Sequence, residues 1–596
     1  LALQAEFAAA AREFKVPESL LLAVGYDESR WEQHAGQPST DGGYGMMHLT
    51  DLPPTPPVVG SPTPTALATS AQSMHTLATA AAILKVDPSV LRQDPAQNIR
   101  GGAALLAQYA HQTVGTTPDD IGDWYGAVAL YAGSPQGAVG FADDVYQTLT
   151  QGESRQTSSG QVVTLPPTKA TPNRITAAGL HVPGLPVPTA ECPPDLSCDF
   201  VPALYALKDP NNLADYGNYD LANRPADGLT IRYIVIHDTE ISYAGALETF
   251  QDPRVNDTAN YIVRSNDGHV TQLVPVSDVA HHVGNWYVNT HAIGVEHEGF
   301  AVAGATWYTE TLYRASAKLV RFLAATYHVP LDRAHIIGHD NVPGLTADTQ
   351  ATQHWDPGPY WDWNHYMDLL GATPPGPDAG GSVVTIHPAF ATNEPNLTNC
   401  NGSTCQAQPV QGANEVELHT APSASSPLIA DSALVALQQS PGEGTTRVDD
   451  WGDKAVAGEE FVRVATQGDW DAIDFGGKVA WFYNPKHVNT SSGAGTLIRP
   501  KAGQLLVEVY GEAAPEASAY LGGVPPHLAE PIDFIEAGQT YVATDLVSSD
   551  FYDAFSYATR ASAYPLVRGQ QKYYQIFYNH RLGYVKADDV QVVKAG

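Results

Sequence analysis

IRYIVIHDTE, residues 231–240, is a short, β-branched run, apolar on both faces, that ends in a histidine and acidic residues. Such a run reads as a buried strand, with His237 at its C-terminal end. HIIGHDN (335–341) delivers His339 in the same way, and HAIGVEHEG (291–299) carries Glu296 on a third run. TETLYRASAKLVRFLAATYHV (309–329) has helical spacing instead. Strand-like runs alternating with helical ones predict an α/β domain, and the ends of its strands are where such sheets build sites.

GHDNVPGLTADTQATQHWDPGPYWDW (338–363) is too rich in Gly and Pro for a helix or a central strand, so its side chains act from a shaped loop. A single histidine is more often structural than ligating. Two histidines at strand ends, a carboxylate on a third strand and Asp356 on a rigid loop are a different matter. They would supply three N/O ligands and leave a fourth position open, as catalytic zinc sites do.

The motifs VIHDT, SNDGHVTQLVP, VAHHVGN, IGVEHEG, IIGHD and HWDPGPYWDW stand in the order of a known family. Over roughly residues 215–372 the chain resembles the zinc-dependent N-acetylmuramoyl-L-alanine amidases of the type-2 fold, to which the peptidoglycan recognition proteins belong. The resemblance implies a mixed sheet, Zn²⁺ held by His237, His339 and Asp356, and Glu296 as the acid that activates water. It implies that His354 faces the developing oxyanion and that His282 touches substrate. Asn260, where related sequences often carry His, is a second candidate substrate contact. Asp238, Asp340 and Glu298 are read as supporting or surface carboxylates. The implied substrate is bacterial peptidoglycan, cut at the amide between N-acetylmuramic acid and L-alanine. Sixteen residues separate His339 from Asp356, including the polar stretch LTADTQATQ, a longer connection than in compact members.

Residues 1–150 are Ala-rich with helical periodicity, broken by the proline-rich LPPTPPVVGSPTPT (52–65). LLAVGYDESRWEQHAGQPSTDGGYGMMHLT (21–50), with NIRGGAALL and ALYAGS further on, resembles the lysozyme-like lytic transglycosylases. That resemblance implies Glu28 as general acid, with Asp41 the nearby candidate partner. ALYAG lacks the family's usual Asn, and MMHLT has Met-His where Met-Gln is usual. The expected organisation is a lysozyme-like domain (1–150), a linker (151–190), the amidase domain (191–375), and a second linker with a local disulfide (376–408). Two small β-barrels resembling bacterial Src-homology-3 modules follow (409–495 and 496–596). Their similar endings, KVAWFYNPKHV and RLGYVKADDV, suggest duplication.

Sixty-four acidic against 31 basic side chains give a formal charge of −33, which repels nucleic acid and anionic lipid. No run is apolar and long enough for a membrane span. Cys192 with Cys198 and Cys400 with Cys405 lie too far apart within each pair for the usual two-residue zinc spacing, and each pair sits in a loop where a disulfide closes easily. Two local disulfides point to an oxidising compartment. The start at Leu1 fits a removed signal peptide. The expectation is a secreted, cell-wall-associated peptidoglycan hydrolase that also cuts glycan strands if Glu28 is active. The alternatives are a recognition protein that binds peptidoglycan without cutting it, and a lytic transglycosylase with an accessory amidase domain.

Overall fold

The structure, a computed structural model, describes residues 3–39, 42–51, 75–132, 138–177, 190–209, 211–252, 255–304, 307–372, 376–401, 404–434 and 443–593. Asp41 and the proline-rich stretch 52–65 lie outside the described residues. No helix among the described residues is long and apolar enough to cross a membrane.

Among the described residues the N-terminal part contains seven α-helices: α1 (Leu3–Phe14), α2 (Glu18–Ser29), α3 (Thr76–Leu84), α4 (Pro88–Gln93), α5 (Pro95–Val114), α6 (Tyr125–Tyr131) and α7 (Ala138–Gln151). Their ends follow local chemistry. Asp94 caps α5 by accepting from Ala96 and Gln97 N–H, Pro95 fills the first helical position, and Gly115 ends the helix at positive φ. The linker expected at 151–190 is corrected in its first part. Glu153–Gln156 and Val162–Leu165 pair as an antiparallel hairpin, and Val163 and Leu165 are buried in the helical core.

The central sheet has six strands in the order Ile336–Gly338, Tyr233–Asp238, Ala292–His297, Tyr261–Val263, Val270–Gln272, Cys198–Phe200. Only the Tyr261–Val263 and Val270–Gln272 pair is antiparallel, so the sheet is mixed, as expected. Side chains alternate across it. Ile234, Ile236, Ile293 and Val295 face α10 (Glu310–Tyr327), which buries Leu312, Leu319, Val320 and Leu323 against them. Thr309 caps that helix by accepting from Leu312 N–H. The other helices here are α8 (Tyr243–Gln251), α9 (Trp286–His291) and α11 (Trp363–Leu370). Trp361, Trp363 and Tyr366 are buried beside α10.

Tyr233, Val235 and Ile337, on the opposite face, share a buried cluster with Val384, Phe461, Tyr573, Phe577 and Tyr584 of the C-terminal region. That region contains an antiparallel five-stranded sheet and a seven-stranded sheet. The first of these begins at Val383–Ile386, inside the stretch expected to be linker, because this strand pairs with both Glu460–Gln467 and Thr490–Ser492. The two sheets differ in strand number and order, so the similar endings do not mark copies of one arrangement. The cysteines pair as expected, Cys192 with Cys198 and Cys400 with Cys405, the second across the hairpin of Thr398–Asn401 and Thr404–Ala407.

Candidate metal centre

Parallel pairing sets the site. Glu296 stands opposite His237, and Gly338 opposite Ile236, so His339 follows directly beside His237 at the strand ends. Asp356 comes from the Pro/Gly loop, its backbone carbonyl accepting from Asp340 N–H. Its two carboxylate oxygens reach both histidines: Oδ2 is 3.2 Å from His237 Nδ1 and Oδ1 is 3.2 Å from His339 Nδ1. One ligand atom from each of these three buried residues lies within 4.8 Å of the others. Glu296 Oε1 is 3.9 Å from His237 Nδ1.

The donor set fits a divalent cation. Glu296 Oε2 is buried with no hydrogen-bond partner among the described residues, and His339 Nδ1 has the Asp356 carboxylate 3.2 Å away without a well-aligned hydrogen bond, which is costly unless something polar meets them. Burial pulls His237 down to about 4 despite Asp356, so its imidazole is neutral. Burial pushes Asp356 up, but His339, His237 and His354 outweigh it and hold the carboxyl well below its usual range. Neutral imidazoles and an ionised carboxylate are the forms that ligate metal.

Residues 227–359 match the family model described as N-acetylmuramoyl-L-alanine amidase. N-acetylmuramoyl-L-alanine amidase A of Achromobacter lyticus is 29% identical over 175 residues, which span 27% of this chain and 91% of that protein. Among solved structures, a crystal structure of a Se-Met AmpD derivative is 21% identical, covering 30% of this chain and 98% of that one, with a TM-score of 0.22. Staphylococcus aureus hydrolase AmiA in complex with its ligand is 16% identical, covering 26% and 67%, with a TM-score of 0.18.

Within this amidase-like segment the surrounding residues divide by what they touch. His354 is 73% exposed, its Nδ1 3.7 Å from Asp356 Oδ1, and that contact raises its pKa. It is the side chain of the set that faces solvent beside the cluster. His282, read as a substrate contact, is placed differently. It is buried over Gly294, with Nδ1 2.9 Å from His237 Nε2. The two rings share a hydrogen bond between these nitrogens, which sets the angle of the His237 ring. Asn260 is also corrected. Its Oδ1 accepts from Gly294 N–H and its Nδ2 donates to the Val274 and Pro275 carbonyls, so its polar atoms are spent on the sheet backbone.

The three neighbouring carboxylates have structural partners. Asp238 Oδ2 accepts from Tyr308 OH, Glu298 accepts from Tyr243 and Ser265 N–H, and Asp340 Oδ2 lies 3.2 Å from His580 Nε2. Sequence reasoning missed Tyr308, Glu240, whose Oε1 accepts from Ala301 N–H, and His580 with its neighbours. Glu28 lies at the end of α2, far along the chain. It is buried, with Oε2 3.3 Å from His48 Nδ1, so the His of MMHLT is the residue beside it.

Proposed function

We propose that the chain is a secreted, zinc-dependent N-acetylmuramoyl-L-alanine amidase acting on bacterial peptidoglycan. The observation that carries this reading is the buried cluster of His237, His339 and Asp356, with Glu296 beside it, inside the amidase-family segment. These three side chains would hold Zn²⁺. When bound, the metal supplies a Lewis acid that polarises the amide carbonyl and brings proton loss from water down to about pH 7.

The protein's own side chains do the rest. Glu296 takes the proton of the attacking water and returns it to the leaving nitrogen. Burial and the nearby Asp356 raise its pKa well above the usual carboxylate range, the direction a proton carrier near neutral pH needs. His354, exposed and held towards its charged form by Asp356, faces the developing oxyanion. His282 fixes the His237 ring.

The N-terminal helices would form a lysozyme-like unit in which Glu28 protonates the glycosidic oxygen. The C-terminal sheets would act as Src-homology-3-like wall-binding units. Two local disulfides support export.

Mass spectrometry of digested peptidoglycan tests the reading. Stem peptides beginning with L-alanine, lost on zinc chelation, are the expected products. Glycan fragments that survive chelation and disappear in Glu28→Gln would add the second activity. Polymer that is bound but left intact would overturn the enzyme reading and leave a recognition protein.

A further inference from the structure

The loop joining His339 to Asp356 is fastened to a part of the chain more than two hundred residues away. Arg581, 1% exposed, lies between the strands Leu566–Phe577 and Leu582–Lys586 of the C-terminal sheet. Its Nη1 donates to the Val342 carbonyl at 2.9 Å, and its Nη2 approaches the Gln353 and His354 carbonyls at 3.4 Å each. Val342 follows the ligand His339 closely and His354 precedes the ligand Asp356, so one guanidinium ties the two ends of the loop together. Its own position is set by the Trp451 ring, whose centroid is 3.7 Å away.

The preceding residue grips the same loop from the other side. His580 Nε2 is 3.2 Å from Asp340 Oδ2, and its Nδ1 is 2.7 Å from Glu459 Oε1. Asn341 Nδ2 donates to Glu459 Oε1 at 3.1 Å and to the His580 carbonyl at 2.8 Å. The Oδ1 of Asn341 accepts from Gly338 N–H and Arg333 Nη2 at 3.0 Å each. The residues immediately before and after His339 are therefore held in a buried polar network closed by both C-terminal sheets. The Arg333–Asn341–Gly338 bonds lie within the 227–359 segment, while those from Glu459, His580 and Arg581 come from outside it.

We infer that the turn His580–Arg581, with Glu459, is a positioning element of the metal centre, holding the His339–Asp356 loop in the geometry that brings the ligands together. This rests on the reading of that centre as a zinc site. Arg581, His580 and Glu459 stand outside the His237–His339–Asp356 cluster and act through the loop. The rigid fork of a guanidinium presents its donors from separate nitrogens in a fixed plane, whereas a lysine ammonium offers three donors at one point on a flexible stem.

The test uses the full chain and compares wild type with Arg581→Lys, which keeps the charge, and Glu459→Gln, which keeps the volume. Zn²⁺ affinity is measured by competition with a chromogenic chelator. Amide hydrogen exchange across 338–356 is followed in the metal-free protein. Outer partners of ligands are worth about 10–100-fold in metal affinity. Arg581→Lys should weaken Zn²⁺ binding within that range and speed exchange in 338–356 while the strand Tyr233–Asp238 stays protected. Should Arg581→Lys fail to fold, Glu459→Gln is scored by the same two readouts, with about a tenfold loss of affinity expected. Wild-type affinity and exchange in a folded variant, whatever its melting temperature, would overturn the inference and leave the amidase reading standing. A wild type that takes no Zn²⁺ would overturn both.

Discussion

Removing residues 376–596 should cost the central α/β segment most of its stability. Tyr233, Val235, Ile337 and Val342 are fully buried in a cluster shared with the C-terminal sheets. At about 1.5–3 kcal/mol for each large apolar side chain exposed, these four represent about 6–12 kcal/mol. Domain stabilities run to only about 5–15 kcal/mol. Polar losses add to this. Tyr233 OH would lose Gln575 and Tyr584, and the buried Arg333 and Asn341 would lose the Ala457 carbonyl and Glu459. The assay is thermal unfolding of residues 1–375 against the full chain, followed by near-ultraviolet circular dichroism. The expected result is a fragment with weak or absent tertiary signal at room temperature. A fragment that unfolds cooperatively at the full chain's midpoint would refute this reasoning and show the sheet face to be self-sufficient.

Other expectations concern single side chains. Asp356→Asn should abolish Zn²⁺ binding read by metal analysis, whereas Glu296→Gln should retain the metal and lose about 10²–10⁴-fold in kcat. Asn260→Ala should destabilise by about 1–3 kcal/mol, because Gly294 N–H is left buried and unsatisfied, with KM unchanged in the folded protein. A changed KM would restore Asn260 to the substrate site. The attachment of the C-terminal sheets should also depend on pH. Burial pulls His580 down, but Glu459 and Asp340 hold it up at about 9. A raised folded-state pKa gives stability that is full below the unfolded value of about 6.5 and is lost as pH rises through about 9. The unfolding midpoint should therefore fall across that window in wild type and fall less in His580→Gln. Equal slopes in the two proteins would rule out this residue as the source.

The clustering of His237, His339 and Asp356 was legible in sequence because each sits at an end that local pattern marks: two apolar runs closed by His237 and His339, and one Pro/Gly loop holding Asp356. Glu296 followed from its own strand. The role of His282 was not legible, since a buried histidine over Gly294 and an exposed one in a groove have the same neighbours in the chain. Asn260 was misread for a similar reason, its partners being backbone atoms of a strand pairing that no local motif announces. The hairpin at 153–165 carried a readable signal, with Val163 and Leu165 spaced by two after the TSSG turn, but the Ser/Thr content masked it. His580, Arg581 and Glu459 gave no local sign at all, because their contacts lie more than a hundred residues away in sequence.

The helical unit is locked to the central α/β unit by charge as well as packing. Arg30, two residues after Glu28, closes on Asp362 at 3.0 Å, and Thr311 Oγ1 of α10 donates to the Asp27 carbonyl. Lys318 of α10 reaches Asp144 of α7. The spacing between Glu28 and the His237 cluster is thus a fixed dimension of the molecule, not the reach of a tether. Were both sites to work on one strand, the enzyme would behave as a gauge, and its fragments would cluster at lengths set by that spacing.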